Sequence, residues 1–464
     1  MTDLSLSAFE PQPLAPDARD LAVLPNAPSE RTLTEETLAR LLHPPAWLGR
    51  AMWVTGLASL LLFAAVGYTL TTGIGVWGND IPVAWGFAIT NFVWWIGIGH
   101  AGTFISAFLL LLEQSWRTSI NRFAEGMTLF ALVQAGLFPL LHMGRAWFFY
   151  WLIPYPSSMG VWPQFRSSLT WDVVAVTTYL TVSVLFWYLG LLPDLATVRD
   201  RAPETWRRRV YGVLALGFYG SAATWRRHRL AYGLLAGLAA PLVVSVHSIV
   251  SMDFAIGVLP GWHSTLFPPY FVAGAILSGF AMVLTLIVPV RRLYRLEHVI
   301  TPAHLEKMAK LVLVTSIIVT YSYAVEMYVA WLSADPFEHR LLLWVRPFGA
   351  YAALFWLQIT CNCLLPQALW FRRVRRSAGA LFVLSLFVQL GMWLERFVLI
   401  VTSQSHDFLP SSFHGYLPSL VDAAILAGTI AFFLFLFLTS LRFVPFIPLA
   451  ELKALRHELQ RGPA

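Results

Sequence analysis

"NFVWWIGIGHAGTFISAFLLLLEQSWRTSINRFAEGMTLFALVQAGLFPLLHMGRAWFFYW" runs from Asn91 to Trp151. Two apolar stretches flank a short linker that carries Arg117 and Arg122. Each stretch reaches the roughly 20 mainly apolar residues that a helix needs to cross a bilayer core. Yet His142 and Arg145 sit inside the second stretch, about one helical turn apart and just after Pro139. A helix facing lipid has no use for either group, because ionisable side chains there are costly and normally turn toward the protein interior.

The rest of the chain repeats this pattern. Of 464 residues, 57% are hydrophobic and 12% charged, which suits a polytopic membrane protein and no soluble domain. The sequence pI near 9.5 invites a nucleic-acid reading, but the arginines fall in clusters between apolar runs, as membrane topology requires. Nucleic acid is therefore set aside. Cys361 and Cys363, the two cysteines, lie within an apolar run at a spacing poor for a disulfide and insufficient for an iron–sulfur cluster. They read as small buried residues. Residues 1–46 are polar and proline-rich, without the apolar core of a cleaved signal, and read as a largely irregular arm. Within it, Thr32 to Glu35 suggests a cap for a short helix ending at Leu42.

Ten segments meet the spanning standard, near 51–71, 85–112, 124–153, 171–192, 230–257, 269–289, 309–332, 347–370, 378–402 and 418–441. A shorter apolar piece, Val210 to Thr224, lies between arginine clusters and reads as an interfacial helix. The linkers alternate in charge. Those after the even-numbered spans carry Arg117 and Arg122, Arg199 through Arg229, Arg291 through Lys310, and the cluster Arg372, Arg373, Arg375 and Arg376. Those after the odd-numbered spans carry only Arg166, Arg340 and Arg346. The positive-inside rule then places both termini in the cytoplasm. The expected fold is an all-α integral membrane protein: a polar arm (1–46), a membrane domain (47–445) and a carboxy-terminal tail (446–464). A weak internal echo lays "LFALVQAGLFPLLHMGRAWFFYW" over "KLVLVTSIIVTYSYAVEMYVAWL", with Arg145 opposite Glu326. It suggests two four-helix bundles, spans two to five (85–257) and six to nine (269–402), with chance among apolar sequences as the rival explanation.

Topology assigns each intramembrane ionisable group a depth. His142 and Arg145 lie in the outer half of span three, Asp172 near the outer start of span four, and His247 and Asp253 toward the outer end of span five. Two histidines, two aspartates and an arginine thus converge on one side of one bundle as a polar pocket. Structural alternatives stand beside this: Asp172 as a helix cap, and Arg145 snorkelling to the interface or pairing with Asp172. His100, among small residues, reads as a packed core histidine. Glu326, Glu395 with Arg396, His406 and Asp422 form a second set at similar depth, either a proton route or an ion-pair network. Glu395 and Arg396 are adjacent and are expected to face different sides of their helix, each with its own partner. No metal site is expected. His142 and His247 could in principle ligate a haem, but the acids and arginine beside them suit a polar organic ligand better.

On the stretch quoted above together with "PQFRSSLTWD" (163–172), the chain resembles the NrfD/PsrC family of quinone-interacting membrane subunits. "WIGIGHAGTFISAF" (95–108) and "LTWD" (169–172) carry the resemblance most specifically, and it extends over roughly 45–445. Within the family the chain is most similar to the ActC branch of bacterial alternative complex III. The resemblance implies a subunit of the bacterial cytoplasmic membrane with no haem or iron–sulfur cluster of its own. It implies a quinol of menaquinone or ubiquinone type, oxidised near the outer face of spans two to five. Electrons would leave to an extracytoplasmic iron–sulfur subunit, with c-type multihaem cytochromes and a second NrfD-like membrane subunit as further partners. His142 and Asp172 match the family's quinone-site positions, with Asp253 as a third; His247 and Arg145 are added on depth alone. Two other readings remain: the same fold anchoring a molybdopterin reductase, and a proton-coupled transporter whose outer acids bind substrate.

Overall fold

The computed structural model describes residues 29–142, 145–153 and 167–461. An arm helix, α1 (Glu30–Leu42), leads into α2 (Ala46–Thr72), α3 (Phe87–Leu111), α4 (Asn121–Leu141) and α5 (Ser168–Arg201). A short amphipathic helix, α6 (Thr205–Leu214), precedes α7 (Ala222–Ala255), α8 (Phe267–Leu293), α9 (Pro302–Leu332) and α10 (Ala352–Trp370). Then come α11 (Ala378–Ser405), α12 (Leu420–Phe443) and the tail helix α13 (Leu449–Arg461). All but α1, α6 and α13 are long and apolar enough to cross a membrane, which gives the expected ten among the described residues. The arm before residue 29 and Arg166 lie outside those residues.

Helices α3 and α8 form the buried centre. Helix α3 packs on α4 and α8, and α8 packs in turn on α7, α9 and α11. Lipid tails offer helices no hydrophobic drive to associate, so close contact depends on small residues at the crossings. Gly279 of α8 meets Ala101 of α3 so closely that an added Cβ would collide with it. Gly102, on the other side of α3, meets Thr128 and the Ala124 backbone of α4 in the same way. Helices α5 and α7 pair beside this centre, and α2 pairs with α12. The two expected helix groups therefore share the α3–α8 contact. Helix α2 turns most of its apolar surface outward, with Trp53 82% exposed, as a lipid-facing helix would.

Several boundaries differ from expectation. The third span is α4, which starts earlier, at Asn121, and stops at Leu141 instead of running to 153. Pro139 lies in its last turn, and Ala146–Leu152 forms a separate 3-10 helix with Trp147, Phe149 and Trp151 exposed. Proline cannot donate to a preceding carbonyl, and aromatic residues favour the membrane interface, so an apolar run continues there after the helix has ended. The piece expected at Val210 to Thr224 splits: α6 ends at Leu214, while Ala222 and Thr224 already belong to α7. Ser29 caps α1, one turn before the expected Thr32, and accepts from the Thr32 backbone N–H. Cys361 and Cys363 are free thiols buried in a π-helical turn of α10 (Thr360–Leu364).

One prediction tests the orientation. In intact cells, a single cysteine placed at Ser264, between α7 and α8, should react with an impermeant thiol reagent, and one at Thr205 should not. Reaction at Thr205 alone would invert the topology and every depth assigned from it.

Candidate functional site

Opposing helix directions bring three of the expected residues to one end of the membrane domain. Asp172 lies one turn into α5 and Asp253 one turn before the end of α7; these helices pair along their lengths. Their side chains are neighbours within hydrogen-bonding reach, and Ser168 reaches Asp253 as well. Asp172 is 7% exposed, and Oδ1 of each carboxyl has no hydrogen-bond partner among the described residues. Asp172 is therefore not a cap: Ser167 holds that position, and the buried neighbour of Asp172 is a second acid. Two neighbouring carboxyls at the end of paired helices can orient a ligand hydroxyl and act as general base toward it.

His142 is the residue at which α4 ends, its backbone N–H donating to the Phe138 carbonyl at 3.0 Å. Its ring packs against the indole of Trp85, centroids 5.7 Å apart. The Trp85 backbone N–H reaches the Gln404 side chain of α11 at 3.4 Å, which ties this corner to the second helix group. Trp85 was expected only as the first residue of span two, but α3 starts at Phe87 and leaves it in the preceding irregular stretch. Arg145 lies exposed just beyond His142, apart from the carboxyl pair.

His247 lies deeper than Asp253. Six residues at 1.5 Å rise put it about 9 Å lower in α7. It is fully buried edge-on to His100 of α3, centroids 4.6 Å apart, and neither of its ring nitrogens has a partner among the described residues. His100 stacks on Tyr179 of α5 at 5.1 Å, and Tyr179 donates to the Gly99 carbonyl at 3.0 Å. The core histidine of the sequence reading is thus one of a buried polar trio that continues inward from the carboxyl pair. Buried polar groups are normally satisfied, and those that are not commonly mark water or ligand.

The second set is partly assembled. Glu395 accepts from the Tyr323 hydroxyl and pairs with its own neighbour Arg396 at 2.8 Å. This corrects the expectation of separate partners: at a tight helix crossing, both side chains bend into the same dry space. The Arg396 guanidinium lies over Phe271 at 4.0 Å, and Phe271 contacts His247 at 5.8 Å, so the two sets adjoin through α8. Glu326 pairs with Arg346 at 2.8 Å, where Arg346 had been counted only as a loop cation. Glu326, Arg346, Glu395 and Tyr323 line a cavity of about 10 Å³, close to the smallest space that holds one water. His406 and Asp422 do not join them. Asp422 caps α12, accepting from the backbone N–H of Ser419 at 2.9 Å and of Gly78 at 2.8 Å. His406 stands past the end of α11 beside Ser405 and Phe413; burial and the nearby Arg340 guanidinium hold its imidazole below the ordinary value.

One further network was absent from the sequence reading. At the opposite end of α4 and α5, Arg122 bridges Glu125 at 3.1 Å and Asp194 at 3.2 Å, with all three side chains essentially inaccessible. Tyr232 of α7 donates to Glu125, and Glu451 of α13 pairs with Arg117 at 2.8 Å. The carboxy-terminal segment is thus a helix bound to the ends of the spans. The signal was there: Arg122 and Glu125 share a helix face at i, i+3, and Asp194 interrupts an apolar run.

The chain is similar in sequence to known proteins. The family model described as "Polysulphide reductase, NrfD" matches residues 75–406. A Halobacterium salinarum protein named as a "Putative dimethyl sulfoxide reductase membrane subunit" is 26% identical over 447 residues, covering 89% of this chain and 95% of its own length.

Proposed function

Because the chain belongs to the polysulphide reductase NrfD family, we propose that it is the quinone-exchanging membrane subunit of an oxidoreductase complex. The observation that carries this reading is the neighbouring pair of carboxyls, buried Asp172 and half-buried Asp253, at the end of the helices where His142 terminates α4. A quinol supplies two electrons and two protons when it is oxidised, so its site needs proton acceptors near the surface and a route outward for electrons. A neutral imidazole at His142 takes one proton; the carboxyl pair orients the other hydroxyl and takes the second. Electrons leave to a partner iron–sulfur subunit docked on the same end. Trp85 and the exposed aromatics of Ala146–Leu152 offer flat apolar surface where a ring would enter from the bilayer. Arg145 stands at the rim of the site, and His247 with His100 continues it inward. The division into arm, two helix groups and tail at the boundaries given above belongs to the same proposal, as does a cytoplasmic-membrane location with both termini inside.

The partner complex has two candidate forms. The Halobacterium relative's name favours a reductase, in which this chain anchors catalytic and iron–sulfur subunits of molybdopterin type. Alternative complex III, with c-type haem subunits and a second NrfD-like subunit, is favoured by the ten spans and the long amino-terminal arm. Purification of the chain with its partners from native membranes separates them: molybdopterin supports the first, haem c the second. An active chain without partners would support the transporter reading and refute both.

Proton translocation is a further element of the proposal, assigned to Glu326, Glu395 and Arg396. In sealed vesicles, Glu326→Gln should lower protons moved per quinol oxidised while oxidation itself persists. Parallel loss of both in an assembled complex would leave Glu326 a structural partner of Arg346.

A further inference from the structure

At the arginine-rich end of the helices, away from the carboxyl pair, α1, α6 and the end of α12 enclose a cavity of about 200 Å³. Its walls are mostly apolar, with Leu42 from α1, Val210 from α6 and Phe443 from α12, and two guanidinium groups reach it, Arg207 and Arg442. Both are already oriented. Arg207 lies over Trp206 at 5.3 Å and Arg442 over Phe443 at 5.2 Å, and Arg442 donates to the Leu41 carbonyl at 3.2 Å. Each guanidinium carries five N–H donors, so one such bond leaves donors for a ligand. Glu204 pairs with Arg207 at 2.7 Å through Nε, its side chain 44% exposed, which leaves the other guanidinium nitrogens of Arg207 outside that contact. The outer side of α6 carries apolar groups, with Trp206 57% and Val213 74% exposed, as expected of a helix lying on a bilayer.

A space with apolar walls, two arginines and an aromatic rim at membrane level matches a molecule with a fatty tail and an anionic phosphate. We propose that this cavity binds an anionic phospholipid of the adjoining leaflet. Its phosphate sits between Arg207 and Arg442, and part of an acyl chain enters among Leu42, Val210 and Phe443. The lipid then fastens α1 and α6 to the end of α12, contacts that the protein otherwise makes through few bonds, among them the Tyr211 hydroxyl donating to the Phe443 carbonyl at 2.9 Å.

The test uses the full chain with its partners, extracted in mild detergent, stripped of lipid and titrated while native mass spectra and melting are recorded. Phosphatidylglycerol should bind and raise the melting temperature; phosphatidylcholine and inorganic phosphate should do neither. Arg207→Gln/Arg442→Gln should weaken phosphatidylglycerol binding at least about tenfold. Val210→Trp, which fills the cavity and keeps both arginines, should weaken it as well. Equal binding of phosphatidylcholine, equal stabilisation by inorganic phosphate, or undiminished binding by both variants would each overturn the site.

Discussion

His142→Ala and Asp172→Asn should each lower quinol-oxidation turnover at least about tenfold, a loss of about 1.4 kcal/mol of transition-state stabilisation. The two residues serve different protons, so neither can replace the other. Asp172→Asn keeps the shape and a hydrogen-bond donor but removes the carboxyl that shares its site with Asp253. His142→Ala removes an imidazole at a helix end, where no helix hydrogen bond depends on the side chain. Both variants should assemble, because each loses a polar group that substrate and water already reach during turnover. Turnover is measured on the complex by steady-state quinol oxidation, with the presence of every partner checked on a gel. Near-normal rates in both variants would mean that the acid pair and His142 are structural.

Replacing Arg122 should damage the protein in a different way. Its side chain is 1% exposed and faces two equally buried carboxylates, so Arg122→Gln leaves Glu125 and Asp194 without their cation. Removing one member of a buried ion pair costs about 3–5 kcal/mol, chiefly from the stranded charge. The expected result is a sharp drop in assembled protein and in the melting temperature of what remains. Arg122→Met combined with Glu125→Gln and Asp194→Asn should recover much of that loss, because no charge is then left buried. A single Arg122→Gln variant as stable as the parent would show that water reaches the network freely.

How far the sequence could be read depended on what each feature needed. Span number needed only apolar length and the alternation of arginine, both local, and ten helices were legible. Helix ends were not: α4 begins in the polar residues Asn121, Arg122 and Glu125, which an apolar window discards. That error hid the inner ion network, since Arg122 was read as a loop residue when it lies within a helix. That Asp172 and Asp253 share one end of the paired helices was legible because successive helices run in opposite directions. Which groups touch was not, because depth says nothing of rotation about the helix axis. Hence Asp172 meets Asp253, while Arg145 turns outward and His247 turns to His100. Asp422 and His406 shared a level with Glu395, but a helix cap and a loop hold them elsewhere. The pairing of Glu395 with Arg396 depends on the crossing of α8, α9 and α11, to which i, i+1 spacing gives no access.

On this reading a quinone headgroup binds where α4 ends and α5 begins. The most direct measurement is a structure of the purified complex with a quinone or a headgroup analogue bound. One headgroup oxygen is expected at about 3 Å from the His142 imidazole and the other at a similar distance from the Asp172–Asp253 carboxyls, with Trp85 against the ring. A headgroup held instead beside Glu326 and Glu395, with the Asp172–Asp253 pair untouched, would contradict it.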